Sequence, residues 1–225
     1  MSEIAAAAPA RTAPPENTVH EGKLVRHGIA ARVIHWTVAL FFVVALITGM
    51  PIWTPVFGWM AYLVGGLQVC RWLHPWAASA FFLMTLVMWV HWHRDMKLEE
   101  QDKGWLGPKL IEYLRFTGED PNVGKYNGGQ KLFFWAAILD ALVLLLSGIV
   151  LWFPANFGQG LREISILAHD LGFIFFGVAI IAHVYLGTAA EPGTFSAMTR
   201  GTVSKAWARL HHPRWYREVT GEKKR

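Results

Sequence analysis

Four long apolar stretches are the feature that most constrains how this chain folds. A membrane-spanning helix needs about 20 predominantly apolar residues, because the hydrocarbon core is about 30 Å thick and a helix rises about 1.5 Å per residue. The stretches run from Val33 to Met50, ending at Pro51, from His74 to Val90, from Leu132 to Phe153, ending at Pro154, and from Ile164 to Gly187. The sequence therefore predicts an all-α integral membrane protein, a bundle of four transmembrane helices.

A fifth apolar piece, Ile52 to Val69, is interrupted by residues that break helices. Its breakers are Pro55, Gly58, Gly65 and Gly66. Proline removes a backbone donor and glycine has no side chain to restrict its backbone. We expect an interfacial or re-entrant segment here, with a fifth span as the alternative.

The basic residues predict the orientation of the bundle. Nineteen of the 21 Lys and Arg residues lie before the first stretch, between the second and third, or after the fourth. The other two connections carry only Arg71 and Arg162. Because cytoplasmic loops are enriched in Lys and Arg, both termini and the middle loop are expected in the cytoplasm. The net charge of +5 is explained by this topology, and no nucleic-acid partner is expected.

Three regions follow from this layout. Residues 1–25 are rich in Ala and Pro near their start and lack a continuous apolar core, so we expect a disordered tail and no signal peptide. Residues 26–195 form the four-helix transmembrane domain. Residues 196–225 form a basic cytoplasmic segment, expected to rest on anionic membrane lipids. The only cysteine, Cys70, excludes an internal disulfide and a cysteine-based metal cluster.

Four of the ten histidines lie within or at the start of the predicted spans: His35, His74, His169 and His183. Ionisable residues inside a membrane are costly and often functional. From the predicted orientation, His35 lies near the cytoplasmic face, and His74 and His169 lie near the outer face. His183 follows His169 by 14 residues on one helix, which gives a rise of about 21 Å and almost four full turns. It therefore returns to the inner level on nearly the same helix face.

The four histidines thus sort by depth into an inner pair, His35 with His183, and an outer pair, His74 with His169. Two imidazoles from different helices are what a six-coordinate haem iron needs for its axial positions. The sequence predicts two b-type haems, one near each face. Zinc would instead gather its ligands tetrahedrally at one point, and a lone membrane histidine can also be an ordinary hydrogen-bonded packing residue.

The residues around these histidines resemble a known family. The motifs are Arg32-Val-Ile-His-Trp-Thr37, Leu73-His74-Pro75, Val123-Gly-Lys-Tyr-Asn-Gly-Gly-Gln-Lys131 and Trp207-Ala-Arg-Leu-His-His-Pro-Arg-Trp-Tyr-Arg-Glu218. Over about residues 26–219 the chain is similar to the cytochrome b (gamma) subunit of membrane-bound formate dehydrogenase. That subunit belongs to the wider family of di-haem membrane cytochromes b of respiratory complexes.

The resemblance implies partners and a quinone site. An iron–sulfur (beta) subunit delivers electrons to the outer haem, and formate is oxidised on a molybdenum- or tungsten-containing (alpha) subunit. The inner haem reduces a quinone, either menaquinone or ubiquinone, in a pocket beside His183 and the residues Asn127, Gly129 and Gln130. From the residues alone, the favoured interpretation of Asn127-Gly is an ordinary turn that begins a helix, and the quinone site rests on the resemblance.

Three further residues carry open alternatives. Arg32 and Arg71 each precede a predicted ligand by three residues, where a guanidinium could bind a haem propionate or a lipid headgroup. Asp140 lies about 13 Å into the third span, either as a neutral, hydrogen-bonded acid or as part of a proton path.

The predicted function is that of an electron-transfer subunit in a bacterial inner (cytoplasmic) membrane. The alternatives are the cytochrome b subunit of another quinone-linked complex, such as a NiFe hydrogenase, and a small transporter that uses the histidines as a proton or metal relay.

Overall fold

Four long helices account for most of the structure, a computed structural model that describes residues 13–114 and 120–223. In chain order the helices are α1 (Ile29–Trp53), α2 (Leu67–Trp92), α3 (Pro108–Leu114), α4 (Gly128–Trp152), α5 (Gln159–Tyr185), α6 (Phe195–Thr199), α7 (Lys205–His211) and α8 (Pro213–Thr220). Helices α1, α2, α4 and α5 are long and apolar enough to cross a membrane, and α5 continues through a π-helical turn to Ala190. This confirms the predicted bundle of four spanning helices.

The helix boundaries differ from the prediction at two places. Helix α1 does not stop at Pro51: it continues to Trp53, and Pro51 is buried inside it. Proline removes one N–H donor from the helix and favours a bend, and the helix ends only two residues after it. Helix α2 begins at Leu67, seven residues before the predicted start at His74, so Leu67 to Val69 belong to it and not to the fifth apolar piece.

The remainder of the fifth apolar piece is a ten-residue 3₁₀ helix, Pro55–Val64. Pro55 occupies its first position, and Gly65 ends it with a left-handed φ of 97°, a conformation that glycine adopts without steric cost. Ten residues are too few to cross the bilayer. The predicted helix break is therefore confirmed.

The long helices pack as two antiparallel hairpins. Helix α1 packs along α2, α4 packs along α5, and α2 contacts α4 to join the hairpins. Phe81, Ala137, Ala141 and Phe176 form the core at the centre of the bundle. Many large apolar side chains point outward, for example Leu40 and Val178, as expected where the surrounding solvent is lipid.

One end of the bundle carries a small folded unit, and we call it the sheet end. Its strands are β1 (Thr18–His20), β2 (Lys23–Val25) and β3 (Thr202–Ser204), paired antiparallel in the order β1-β2-β3. Glu21 and Gly22 turn the β1-β2 hairpin with positive φ angles of 48° and 77°, the backbone of a tight hairpin turn. The opposite end, formed by residues 54–66 and 153–158, is the turn end.

This sheet corrects the prediction of a disordered tail for residues 18–25. Leu24 is fully buried and packs with Val203, Trp207, Trp215 and Tyr216. The pairing brings together segments almost 180 residues apart, which no local pattern reveals. Residues 1–12 of the predicted tail lie outside the described part of the chain.

The same core contains aromatic residues of the C-terminal segment, which are buried within the sheet end. The indoles of Trp207 and Trp215 lie 4.9 and 5.4 Å from the guanidinium carbon of Arg26. Arg26 is itself buried, and its Nη2 donates to the main-chain carbonyl of Lys125 at 2.6 Å. Burial lowers the pKa of Arg26 to about 10, so the guanidinium stays charged and ties the sheet to the loop that precedes α4.

Candidate functional site

The structure brings the four predicted histidines together as two pairs. The ring centres of His35 on α1 and His183 on α5 are 6.2 Å apart near the sheet end. Those of His74 on α2 and His169 on α5 are 6.3 Å apart nearer the turn end. Each pair draws on two helices, as the depth argument predicts. We call them the sheet-end pair and the turn-end pair.

The spacing of the rings matches two imidazoles bound to opposite sides of one metal ion. A metal–imidazole bond is about 2.0 Å long, so two such nitrogens on one ion lie about 4 Å apart, and the centres of their rings lie farther apart by the depth of both rings. Among the described residues no group of three or more His, Cys, Asp and Glu side chains could hold a metal ion. Two histidines without further ligands therefore fit a haem, whose iron needs only two protein ligands, better than a zinc site, which needs three or four.

Hydrogen bonds define the tautomer of the turn-end histidines. Nδ1 of His74 lies 3.0 Å from the carbonyl oxygen of Ala45. A carbonyl only accepts, so this Nδ1 carries the proton. Nδ1 of His169 lies 2.9 Å from Oγ of Ser147, whose own proton is donated to the Val143 carbonyl at 2.7 Å. Both imidazoles therefore keep the lone pair on Nε2, the form that binds a metal.

The sheet-end pair has a different environment. Nδ1 of His35 is buried and has no hydrogen-bond partner. The ring of His183 stacks on Phe133 of α4, with ring centres 4.7 Å apart and planes within 6°. Phe133 was not predicted from the sequence. It lies five residues after the Asn127-Gly turn, and this spacing places it near the residues predicted to bind the quinone.

The predicted propionate-binding arginines lie at opposite ends of the bundle. Nη1 of Arg32 donates to the Thr199 carbonyl at 2.8 Å and its Nε to the Gly28 carbonyl at 3.4 Å, so it already links α1 to the sheet end. Arg71 is exposed in the first turns of α2. Arg162 of α5, which the sequence reasoning passed over, has a buried Nε without a partner. A buried donor without a partner tends to bind a polar group. At the turn end, Arg162 is therefore a better candidate than Arg71 for binding an anionic group such as a propionate.

The stretch predicted to bind a quinone begins α4. Asn127 is the N-cap: its Oδ1 accepts from the Gln130 backbone N–H at 2.8 Å, and the Asn127 N–H donates to Oε1 of Gln130 at 3.0 Å. This reciprocal capping occupies both side-chain carbonyls. The NH₂ group of Gln130 remains as a possible donor to a quinone carbonyl, and that of Asn127 keeps one N–H besides the one turned to Tyr113.

Gly129 lines an apolar pocket just inside this helix start. Its walls also include Trp105, Leu106, Leu110, Phe133 and Phe176. The indole of Trp105 lies across Gly128 and Gly129 so closely that a Cβ at Gly129 would be 2.6 Å from Cζ3. The glycines therefore make room for Trp105, which sequence reasoning missed because it lies in the loop more than 20 residues earlier.

A buried acid lies near the same end. Glu191, directly after the π-helical turn, is buried and accepts a 2.5 Å hydrogen bond from the hydroxyl of Tyr113. Burial raises the pKa of the Tyr113 hydroxyl, the Glu191 carboxylate raises it further, and the Asn127 side chain acts in the opposite direction. Tyr113 thus connects Glu191 to the residue that caps α4.

Asp140 lies midway along α4 between the two histidine levels. It is 9% exposed, and its Oδ2 has no hydrogen-bond partner. A Cβ at Gly172 of α5 would lie 3.0 Å from its Oδ1, so the glycine makes room for the carboxyl. The hydrogen bond expected for a neutral acid is therefore not formed by Oδ2.

Comparison with known proteins gives one consistent family. Residues 26–201 match the family of prokaryotic cytochrome b561. The chain is 35% identical over 207 residues to the formate dehydrogenase cytochrome b556(fdo) subunit of Escherichia coli K12, covering 89% of this chain and 96% of that protein. It is 33% identical over 200 residues to the nitrate-inducible formate dehydrogenase cytochrome b556(Fdn) subunit of the same organism (87% and 91% covered). It is also 32% identical over 206 residues to the formate dehydrogenase cytochrome b556 subunit of Haemophilus influenzae (88% and 84% covered).

Proposed function

Since the chain belongs to the prokaryotic cytochrome b561 family, among the cytochrome b subunits of formate dehydrogenase, we propose that it carries electrons across a bacterial inner membrane from an iron–sulfur subunit to a quinone. The observation that carries the proposal is the presence of two histidine pairs at different depths, with ring centres 6.2 and 6.3 Å apart. Haem b, which the family implies, supplies a one-electron carrier at each pair.

The chain's own residues would hold the two haems. His35 and His183 would hold the haem iron at the sheet end, and His74 and His169 would hold it at the turn end. The apolar helices keep water and ions from both pairs. His169 and His183 share α5, where 14 residues correspond to about 21 Å, so the two levels lie within one apolar bundle.

The basic residues support an orientation with the sheet end in the cytoplasm. All Lys and Arg residues except Arg71 and Arg162 belong to segments that lead to or from this end. The turn end then faces the periplasm, where the iron–sulfur (beta) subunit would dock and connect to a molybdenum- or tungsten-containing (alpha) subunit. Each electron that moves inward against the potential stores about 2.3 kcal/mol per 100 mV.

The pocket beside Phe133 supports a quinone site at the sheet end. It is apolar, Gly129 forms part of its wall, and Phe133 also stacks on His183. The amide groups of Asn127 and Gln130 are the proposed hydrogen-bond donors to a menaquinone or ubiquinone carbonyl. Protons would come from the cytoplasm, since the pocket lies on that side in the proposed orientation.

Single-histidine variants of the purified complex test this proposal. In reduced-minus-oxidised spectra with haem quantification, we expect His183→Ala to lose the sheet-end haem and keep the other, and His74→Ala to lose the turn-end haem and keep the other. Both variants should lose formate-driven quinone reduction, because the proposed path needs both haems. His93→Ala is the control, because this half-buried imidazole bonds to Trp89 and Val90 of its own helix. Loss of both haems or neither in the His183 variant would contradict the pairing, and a wild-type protein without haem bands would favour a transporter.

A further inference from the structure

A buried hydroxyl lies behind each histidine of the turn-end pair. Oγ1 of Thr48 is 3.4 Å from Nδ1 of His74, and Oγ of Ser147 is 2.9 Å from Nδ1 of His169. Both hydroxyls donate one turn back along their own helix, to Val44 and Val143, each at 2.7 Å. Their protons are thus committed, and each hydroxyl oxygen faces its imidazole as an acceptor.

The two hairpins repeat this arrangement. In α1, Thr48 is followed by Gly49, which lies against His74 of α2. In α4, Ser147 is followed by Gly148, which lies against His169 of α5. In each hairpin, a hydroxyl residue and the glycine after it therefore contact the histidine ring of the partner helix.

The sheet-end pair lacks this support. Among the described residues no hydroxyl bonds to His35 or His183, and the buried Nδ1 of His35 has no partner. An acceptor on Nδ1–H raises the basicity of the imidazole and so favours the more positive, oxidised metal. Hydrogen bonding to an axial ligand is one of the means by which a protein sets a haem potential. The structure therefore makes the two ends electronically unequal.

We propose that Thr48 and Ser147 are positioning residues that make the turn-end haem the more reducing of the two. This rests on the proposed function, and on the ligation of both haems by the histidine pairs. With this asymmetry, an electron would pass from the turn-end haem, which would be oxidised, to the sheet-end haem, which would be reduced, and so toward the proposed quinone pocket. Ser147 is the stronger determinant, because its oxygen lies 2.9 Å from Nδ1 of its histidine, whereas that of Thr48 lies 3.4 Å away.

Potentiometric titration of the purified complex tests this, with absorbance followed at each haem. Removing a partner of a metal-bound histidine typically weakens binding about 10- to 100-fold. If Ser147→Ala weakens the ferric preference tenfold, the turn-end midpoint potential rises by about 59 mV for a one-electron couple. The sheet-end midpoint stays unchanged. Thr48→Val produces a smaller shift in the same direction, and Thr48→Ser, which keeps the hydroxyl, retains the wild-type value.

Thr85→Val is the matched control. Its hydroxyl is equally buried and donates one turn back to the Phe81 carbonyl, and within the described part of the chain it forms no hydrogen bond with a histidine. The idea is overturned if Ser147→Ala and Thr48→Val shift the turn-end potential no more than Thr85→Val does, or if both haems shift equally. If Ser147→Ala loses the turn-end haem, the comparison of Thr48→Val with Thr48→Ser still tests whether the hydroxyl lowers the turn-end potential. A wild-type protein with fewer than two haems would refute the proposed function itself, before any variant is compared.

Discussion

Gly49 of α1 lies against the imidazole of His74 so closely that a Cβ atom at this position would be 2.8 Å from Cε1. Gly148 of α4 has the same relationship to His169, but with 3.3 Å to Cε1. The first distance is shorter than side chains allow, and the second requires only a small adjustment. Position 49 therefore has no room for a side chain beside His74, whereas position 148 has almost enough room for a methyl group beside His169.

This difference predicts unequal effects of adding one methyl group. We expect Gly49→Ala to displace the His74 ring and lose most of the turn-end haem, whereas Gly148→Ala retains most of it. The sheet-end haem is retained in both variants. Haem content and reduced spectra of the purified protein measure this. Gly160→Ala in α5 is the control, since nothing lies within 4 Å of the added Cβ there. Equal haem loss in the Gly49 and Gly160 variants would mean that the contact has no bearing on haem binding.

Gly129→Ala tests the proposed quinone pocket separately from the haems. The added Cβ would lie 2.6 Å from Cζ3 of Trp105, so the indole must move, and it forms part of the pocket wall. We expect quinone reduction to fall at least tenfold while both haems remain bound and reducible by formate. In Gly107→Ala the nearest atom is 3.8 Å away, and activity should stay normal. If the Gly129 variant turns over quinone normally, the quinone binds elsewhere.

The number of helices and the pairing of the histidines were predictable because both follow from periods along the chain. The lengths of the apolar stretches predict the spanning helices. The 14 residues between His169 and His183 place these two histidines at different depths on nearly the same face of one helix. The basic residues then decide which histidines share a level. Local turn chemistry was also informative, because the Asn127-Gly pair begins α4 as its alternative interpretation allowed.

The contacts across the bundle were not predictable in this way. Thr48 and Ser147 are ordinary small polar residues until the helix packing brings them to His74 and His169. Trp105 meets Gly129 only through the fold of the loop. The sheet pairs Leu24 with Val203, and nothing in the three-residue strands identifies a partner so distant in sequence. Such contacts depend on tertiary packing, which sequence patterns do not encode locally.

A buried ion pair at the start of α4 is expected to stabilise the loop that carries Trp105. Nζ of Lys131 is 2.7 Å from Oδ2 of Asp102, and both side chains are almost fully buried. Lys131→Met leaves the Asp102 carboxylate buried without its partner, which costs about 3–5 kcal/mol. Denaturant unfolding in detergent micelles measures the loss. Lys103→Met removes an exposed pair with Glu100 and should cost less than about 1 kcal/mol; similar losses in both variants would contradict the special role of Lys131.

The sheet end should loosen in acid because His212 is buried as a neutral ring. Its Nδ1 donates to the Gly124 carbonyl at 2.7 Å, and burial, reinforced by the charge of Arg26, lowers its pKa well below the usual value. Below about pH 6.5, His212 binds a proton in the unfolded segment but not in the folded one. Each further unit by which the pH falls therefore lowers the free energy of unfolding by about 1.4 kcal/mol. Above that pH the contribution is fully present.

Hydrogen exchange of the amides in β3, α7 and α8 measures this dependence. We expect protection to fall between about pH 6.5 and pH 5, while amides in the long helices, far from His212, keep theirs. His212→Asn retains a donor for Gly124 and removes the titrating ring, so its protection should change less over the same interval. His27, also buried with a lowered pKa, accounts for the dependence that remains. An equally steep pH dependence in the His212 variant would contradict this assignment. The acid sensitivity of the sheet end would then come from His27, whose pKa is also lowered by burial.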